Sequence, residues 1–130
     1  MAEWLPKYLD GDSWTSTASA TITAGQLLAV SGVNTVAPAG VNASNHVGVA
    51  MFDAASGAVV TVSSPQVGVC IASGAITAGD LVAPAAAGAV STLAVVSTPT
   101  AADVTGTRAL VGVALTTAVG NLVTVFFVRS

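Results

Sequence analysis

The sequence predicts an all-β protein, a small β-barrel domain with an internal pseudo-repeat and an N-terminal arm. Three observations carry that expectation. Apolar residues recur with period two in short runs. Two stretches of the chain repeat each other in the same motif order. Helix signals are thin.

The period-two runs come first. Val47, Val49 and Met51 alternate with Gly48 and Ala50. Val67, Val69 and Ile71 alternate with Gly68 and Cys70, and Val111, Val113 and Leu115 with Gly112 and Ala114. A strand points successive side chains to opposite faces. Each run therefore has a bulky face, expected to be core, and a bare face that allows close approach of another sheet or subunit. Residues 58–62 and 121–128, rich in Val, Thr and Phe, suit two further strands. One short helical turn is expected at 100–104, after Pro99, while 83–87 is too short and too close to Pro84 to count as a helix signal.

The repeat lies in the same region. Ala20-Thr21-Ile22-Thr23-Ala24-Gly25-Gln26-Leu27-Leu28 aligns with Gly74-Ala75-Ile76-Thr77-Ala78-Gly79-Asp80-Leu81-Val82. Val47-Gly48-Val49-Ala50 aligns with Val111-Gly112-Val113-Ala114, and 57–62 with 120–125. The pseudo-repeats run from about 20 to 64 and 74 to 128, with a longer loop in the second copy around 97–107. Two copies are too few for a solenoid. A pseudo-two-fold barrel fits, because closure removes sheet edges.

Residues 1–14 read as an arm and 15–130 as the β body. The arm holds Glu3, Lys7, Asp10 and Asp12, four of the nine charged residues, and Trp4, Tyr8 and Trp14, half of the six aromatics. Pro6 and Gly11 interrupt regular structure there. Large aromatics suit docking because each buries a wide rigid surface. Trp4, Leu5, Tyr8 and Trp14 are the expected interface anchors, and a single arm of this size only about offsets its own ordering entropy. Several arms on one oligomer bind far better, since later arms engage at high effective concentration. A homo-oligomer is therefore expected.

Composition excludes several function classes. Only 7% of residues are charged, against about 25% in an average domain. No run of about 18 apolar residues occurs, so no membrane span is expected, and the first residues lack the pattern of a secretory signal. Lys7, Arg108 and Arg129 are the only cations, too few and too scattered for nucleic acid. Low charge gives little protection against self-association and favours a chain that ends in an assembly.

Catalytic and metal groups are sparse, and the expectation is a protein that is not an enzyme and takes no cofactor or metal. His46, the only histidine, sits in a polar run and is expected in a surface loop. Cys70 is the only cysteine and reads as a buried apolar residue. One Cys and one His do not make a zinc site. Asp10-Gly11-Asp12 resembles the start of a calcium loop, but Thr15 and Thr21 stand where its later Gly and Glu are needed. Asp53, Asp80 and Asp103 lie beside turn signals, where Asp ordinarily bonds nearby backbone. Neither a nucleotide loop nor a Gly-x-Ser-x-Gly elbow occurs. Lys7 lies in the arm rather than at a hairpin tip, unlike the modified lysine of a lipoyl-type domain. Asn42-Ala43-Ser44 matches a glycosylation sequon.

The motif order Gly74–Val82, a glycine-bearing hairpin, Leu110–Leu115, Gly120 and Val123-Thr124-Val125 resembles the capsid decoration, or cement, proteins of tailed bacteriophages. Residues 47–62 are similar to the corresponding hairpin of the lambda-type members, and the resemblance spans most of 20–128. It implies a compact β-barrel or β-tulip, often trimeric, on the outer surface of the virion, made in the host cytoplasm and not secreted. It also implies an N-terminal arm that orders on binding the major capsid protein and bridges neighbouring subunits. The rival expectation is a carbohydrate- or ligand-binding β-module of a phage tail or cell surface, which the few body aromatics, Phe52, Phe126 and Phe127, favour less.

Overall fold

A computed structural model describes residues 13–93, 98, 100, 101 and 109–128. The arm residues Trp4, Leu5 and Tyr8, the cations Lys7, Arg108 and Arg129, the acid Asp103 and most of the turn expected at 100–104 lie outside these.

The described chain is all-β apart from a 3₁₀ turn, Ala86–Gly88, and the helical residue Ala101, which falls in the short turn expected at 100–104. Its strands are β1 (Ser13–Ala18), β2 (Leu27–Gly32), β3 (Thr35–Pro38), β4 (His46–Ala50) and β5 (Val59–Ser63), then β6 (Val67–Ile71), β7 (Leu81–Pro84), β8 (Val90–Thr92), β9 (Gly112–Ala114) and β10 (Leu122–Phe127). The first five close into a barrel in the order β1-β3-β2-β4-β5. The last five form a sheet in the order β6-β10-β9-β7-β8. A parallel bridge between Ala72 and Val90 links that sheet's two edges, at the place where Ala18 meets Val36 in the first barrel.

The two halves therefore have the same strand order, and the repeat reaches further back than its sequence identity. β1 corresponds to β6, β2 to β7, β3 to β8, β4 to β9 and β5 to β10. Matching backbone bonds confirm the alignment. Gly25 N–H donates to the Ala50 carbonyl (2.9 Å) and Gly79 N–H to that of Ala114 (2.7 Å). Ser19 N–H donates to the Val36 carbonyl (2.9 Å) and Ser73 N–H to that of Val90 (2.7 Å). The turns match in side chains too. Gln26 Oε1 accepts from Thr23 N–H (2.8 Å) where Asp80 Oδ2 accepts from Thr77 N–H (2.9 Å). Asp53 Oδ1 accepts from Ala24 N–H where Thr117 Oγ1 accepts from Ala78 N–H.

The Val-Gly-Val-Ala strands need their glycines for close approach. A Cβ on Gly48 would overlap the Ser63 carbonyl, and one on Gly112 the Phe126 carbonyl. Both neighbours are backbone and cannot swing aside.

The expectation that bulky faces are core is corrected for β6 and β9. Val67 and Val69 are exposed, while Cys70, next after Val69, is buried. In β9, Val113 is half-buried and Gly112 and Ala114 are buried. The reason is the narrow interior of a five-stranded barrel. Its large inward residues come from β10, whose Val123 and Val125 stand opposite Cys70 and Gly68, and Val125 also faces Ala114. Small barrels fill this way, large against small.

Two cores result. Ala18, Ile22, Leu28, Val36, Ala50, Ala54, Val60 and Val62 fill the first barrel. The second core joins Cys70, Ile76, Val82, Val111, Val123, Val125 and Phe127 to Leu27, Ala29, Ala39 and Val49 of the first half. β2 therefore buries both its faces, Leu28 into its own barrel and Leu27 and Ala29 against the second half.

Candidate interaction surfaces

Of the expected arm anchors Trp4, Leu5, Tyr8 and Trp14, the described residues include Trp14 alone. β1 starts at Ser13, so Trp14 belongs to the body rather than to the arm. It pairs with Val62 and lies half-buried against the first core. Its indole packs on the wall of the first barrel.

The histidine expectation is corrected as well. His46 opens β4, pairs with Ala29 and is buried. The polar run before it ends where β4 begins, and β2 draws that first residue into the sheet.

Cys70 is buried, as expected, and desolvation pushes its thiol up to about 12. Deprotonation would place a thiolate among apolar side chains, so the thiol stays neutral at physiological pH. Asp53 and Asp80 are taken up by turns. Asp80 Oδ2 accepts from the Thr92 hydroxyl (3.2 Å) as well as from Thr77 N–H. Among the described residues no three His, Cys, Asp or Glu side chains come together to hold a metal ion.

A cleft of about 200 Å³ lies where the halves join, lined by Val49, Met51, Ser63, Pro65, Gly68 and Val69. It is smaller than the roughly 300–1,000 Å³ usual for small-molecule sites.

The prominent feature is an apolar row across the outer face of the second sheet. The register sets Val67 beside Phe126, Phe126 beside Val113, and Val113 beside Leu81. Val67, Phe126 and Leu81 are 49%, 37% and 44% exposed. The matching row of the first half runs Ser13, Ser63, Val49, Leu27. There the strand ends are serines, and Val49 and Leu27 are covered by the second half.

Three backbone or side-chain bonds fasten that cover. Gly88 N–H donates to the Ala39 carbonyl (2.8 Å) and Asn42 N–H to that of Pro84 (3.0 Å). Gln26 Nε2 donates to the Ala87 carbonyl (3.0 Å). Ala87, with φ of 57°, holds a left-handed conformation that costs an alanine on the order of 1 kcal/mol.

Sequence reasoning missed the exposed row because it assigned the bulky faces to the core. The signal was present at offset 54, where Ser13, Thr15 and Leu27 align with Val67, Val69 and Leu81. β1 and β6 share almost no identical residues, which hides their correspondence in the sequence.

In fold, the protein resembles the head fiber gp8.5 N base of bacteriophage phi29. The superposition has a TM-score of 0.67 and 24% sequence identity, and covers 92% of this chain and 95% of that one. Neither a protein-family model nor a curated protein matches the sequence. The all-β barrel architecture expected from the sequence is thus found in the strands and in a solved relative of the fold.

Proposed function

We propose that this chain is a non-catalytic structural protein of a tailed-bacteriophage head, a decoration or cement protein on the outer surface of the virion. The observation that carries the reading is the likeness of fold to a phage head fiber base over nearly the whole of both chains. The motif order of 74–125, which resembles decoration proteins, supports it independently.

In this reading the body is a rigid platform and the role is mechanical. Copies act together as a homo-oligomer, a trimer being favoured. Trp4, Leu5 and Tyr8 dock on the major capsid protein, and Trp14 roots each arm on its own barrel. Bridging adjacent capsid subunits would raise the force and temperature the shell withstands. The protein would be made in the host cytoplasm and join the head there.

The test is co-sedimentation of the purified protein with empty expanded heads of the phage that encodes it. Binding with a raised shell melting temperature is the expected result. Trp4→Ala combined with Tyr8→Ala should abolish it, and unchanged binding by that variant would remove the arm from the mechanism. A protein that ignores shells altogether would sink the reading.

A further inference from the structure

The same surface is used in one half of the molecule and left bare in the other. In the first half, Leu27 and Val49 are 1% and 8% exposed because the second half sits on them. The β7–β8 hairpin tip reaches across, where Ala87 and Gly88 bond to Gln26 and Ala39.

Each part of that contact has an unused counterpart. Leu81 and Val113 correspond to Leu27 and Val49, and Asp80 and Leu93 to Gln26 and Ala39. The β2–β3 tip, Val33 and Asn34, corresponds to Ala87 and Gly88. Val33 is 92% exposed, an apolar side chain standing in water at the end of a hairpin. So the first half carries an undocked tip, and the second half carries an uncovered seat.

We propose that the Leu81–Val113 seat receives the Val33–Asn34 hairpin of a second copy of this chain. The contact between copies repeats, head to tail, the contact between halves. It deepens the proposed function, in which copies act together, by naming the surface that joins them.

Local chemistry fits the seat to this occupant. Asn34 carries a side chain where Gly88 has none, and a Cβ on Gly88 would meet the Gln26 side chain. Opposite Asn34 the seat offers Asp80, one methylene shorter than Gln26. Gln26 donates to the tip carbonyl, whereas the Asp80 carboxylate can only accept, and the Asn34 amide supplies a donor. The flanking Val67 and Phe126, where the first half has Ser13 and Ser63, extend the apolar area available to the incoming barrel. Asp53 and Asp80 are the only Asp, Glu, Lys or Arg among the described residues, so little charge repulsion opposes the approach.

A head-to-tail contact either closes into a ring or propagates. Closure by three copies would set six barrels around one axis, first and second halves alternating.

The experiment needs no shells, so its failure stays separate from failure of shell binding. Sedimentation equilibrium of the full-length chain should give a closed oligomer. Leu81→Asp and Val33→Asp should each reduce it to monomer, with a thermal melt equal to that of wild type at a dilution where copies are apart. Mixed together, the two variants should recover a dimer, because each keeps the half of the contact that the other lost. Should Leu81→Asp misfold, Leu81→Ser takes its place, and Val33→Asp stands on a fully exposed site. A monomeric wild type, variants that keep the wild-type mass, or two monomeric variants that fail to complement would each overturn the proposal. So would loss of the oligomer on deleting residues 1–12 while Val33→Asp retains it, which would seat the arm there instead.

Discussion

Leu27 and Leu81 occupy the same place in two copies of one fold, each first in its strand and each just after a Thr-Ala-Gly turn. One is sealed at 1% exposure and the other stands at 44%. Local sequence is nearly identical around them, so nothing within their own copy decides the difference. What decides it is that the second half covers the Leu27–Val49 row of the first, while no described residue covers the matching Leu81–Val113 row of the second. Duplication doubles every surface, and a two-unit chain can cover only one of them internally.

The widest expected gap between the halves is at that pair. Leu27→Ala should cost roughly 2–5 kcal/mol, because it opens a cavity that two packed halves cannot close. Leu81→Ala, measured by urea unfolding at a dilution where copies are apart, should stay within about 0.5 kcal/mol of wild type. Equal losses at both would mean that Leu81 is also covered within the single chain.

Other substitutions should show the halves alike. Gly48→Ala and Gly112→Ala each drive a Cβ onto a cross-strand carbonyl, and each should cost roughly 1–3 kcal/mol. Paired thermal melts would reveal one half more yielding than the other.

Cys70 separates the halves by pH, since its counterpart in β1 is Ser16. Burial raises the folded thiol to about 12 from an ordinary value of 9.0. The folded state thus holds its proton while the unfolded chain releases it. The stabilisation is full below about pH 9, and between there and about pH 12 it falls by about 1.4 kcal/mol per pH unit. Wild type should therefore lose its advantage over Cys70→Ala through that window. A difference that is flat with pH would place the thiol in contact with solvent.

The turns give the smallest effect. Gln26→Ala and Asp80→Ala each remove a side-chain acceptor from a threonine N–H, at about 1 kcal/mol apiece. Gln26→Ala also severs the bond to Ala87. A double-mutant cycle with Leu27→Ala should therefore show coupling that the Asp80→Ala and Leu81→Ala cycle lacks.

Much of the fold was legible. Alternation marked β4, β6 and β9, runs rich in Val, Thr and Phe marked β5 and β10, and the Thr-Ala-Gly turns and Val-Gly-Val-Ala strands marked the duplication. Asp53 and Asp80 read correctly as turn acceptors and Cys70 as a buried thiol. His46 did not, because the polar residues before it hid that β4 starts at that residue. The outer row did not, because alternation distinguishes two faces of a strand without saying which one is inside.

The sequence by itself determined that this chain is β, that it is built twice, and that its glycines stand where strands press together. Those are properties of period, repetition and backbone sterics, which act over a few residues. Only the tertiary structure decided that β10 fills the second core, that Val67 and Val69 face outward, and that Leu27 is covered where Leu81 is not. In a barrel this narrow, the inside is set by the volume left over from the facing strand, and the covered face by where the other half comes to rest.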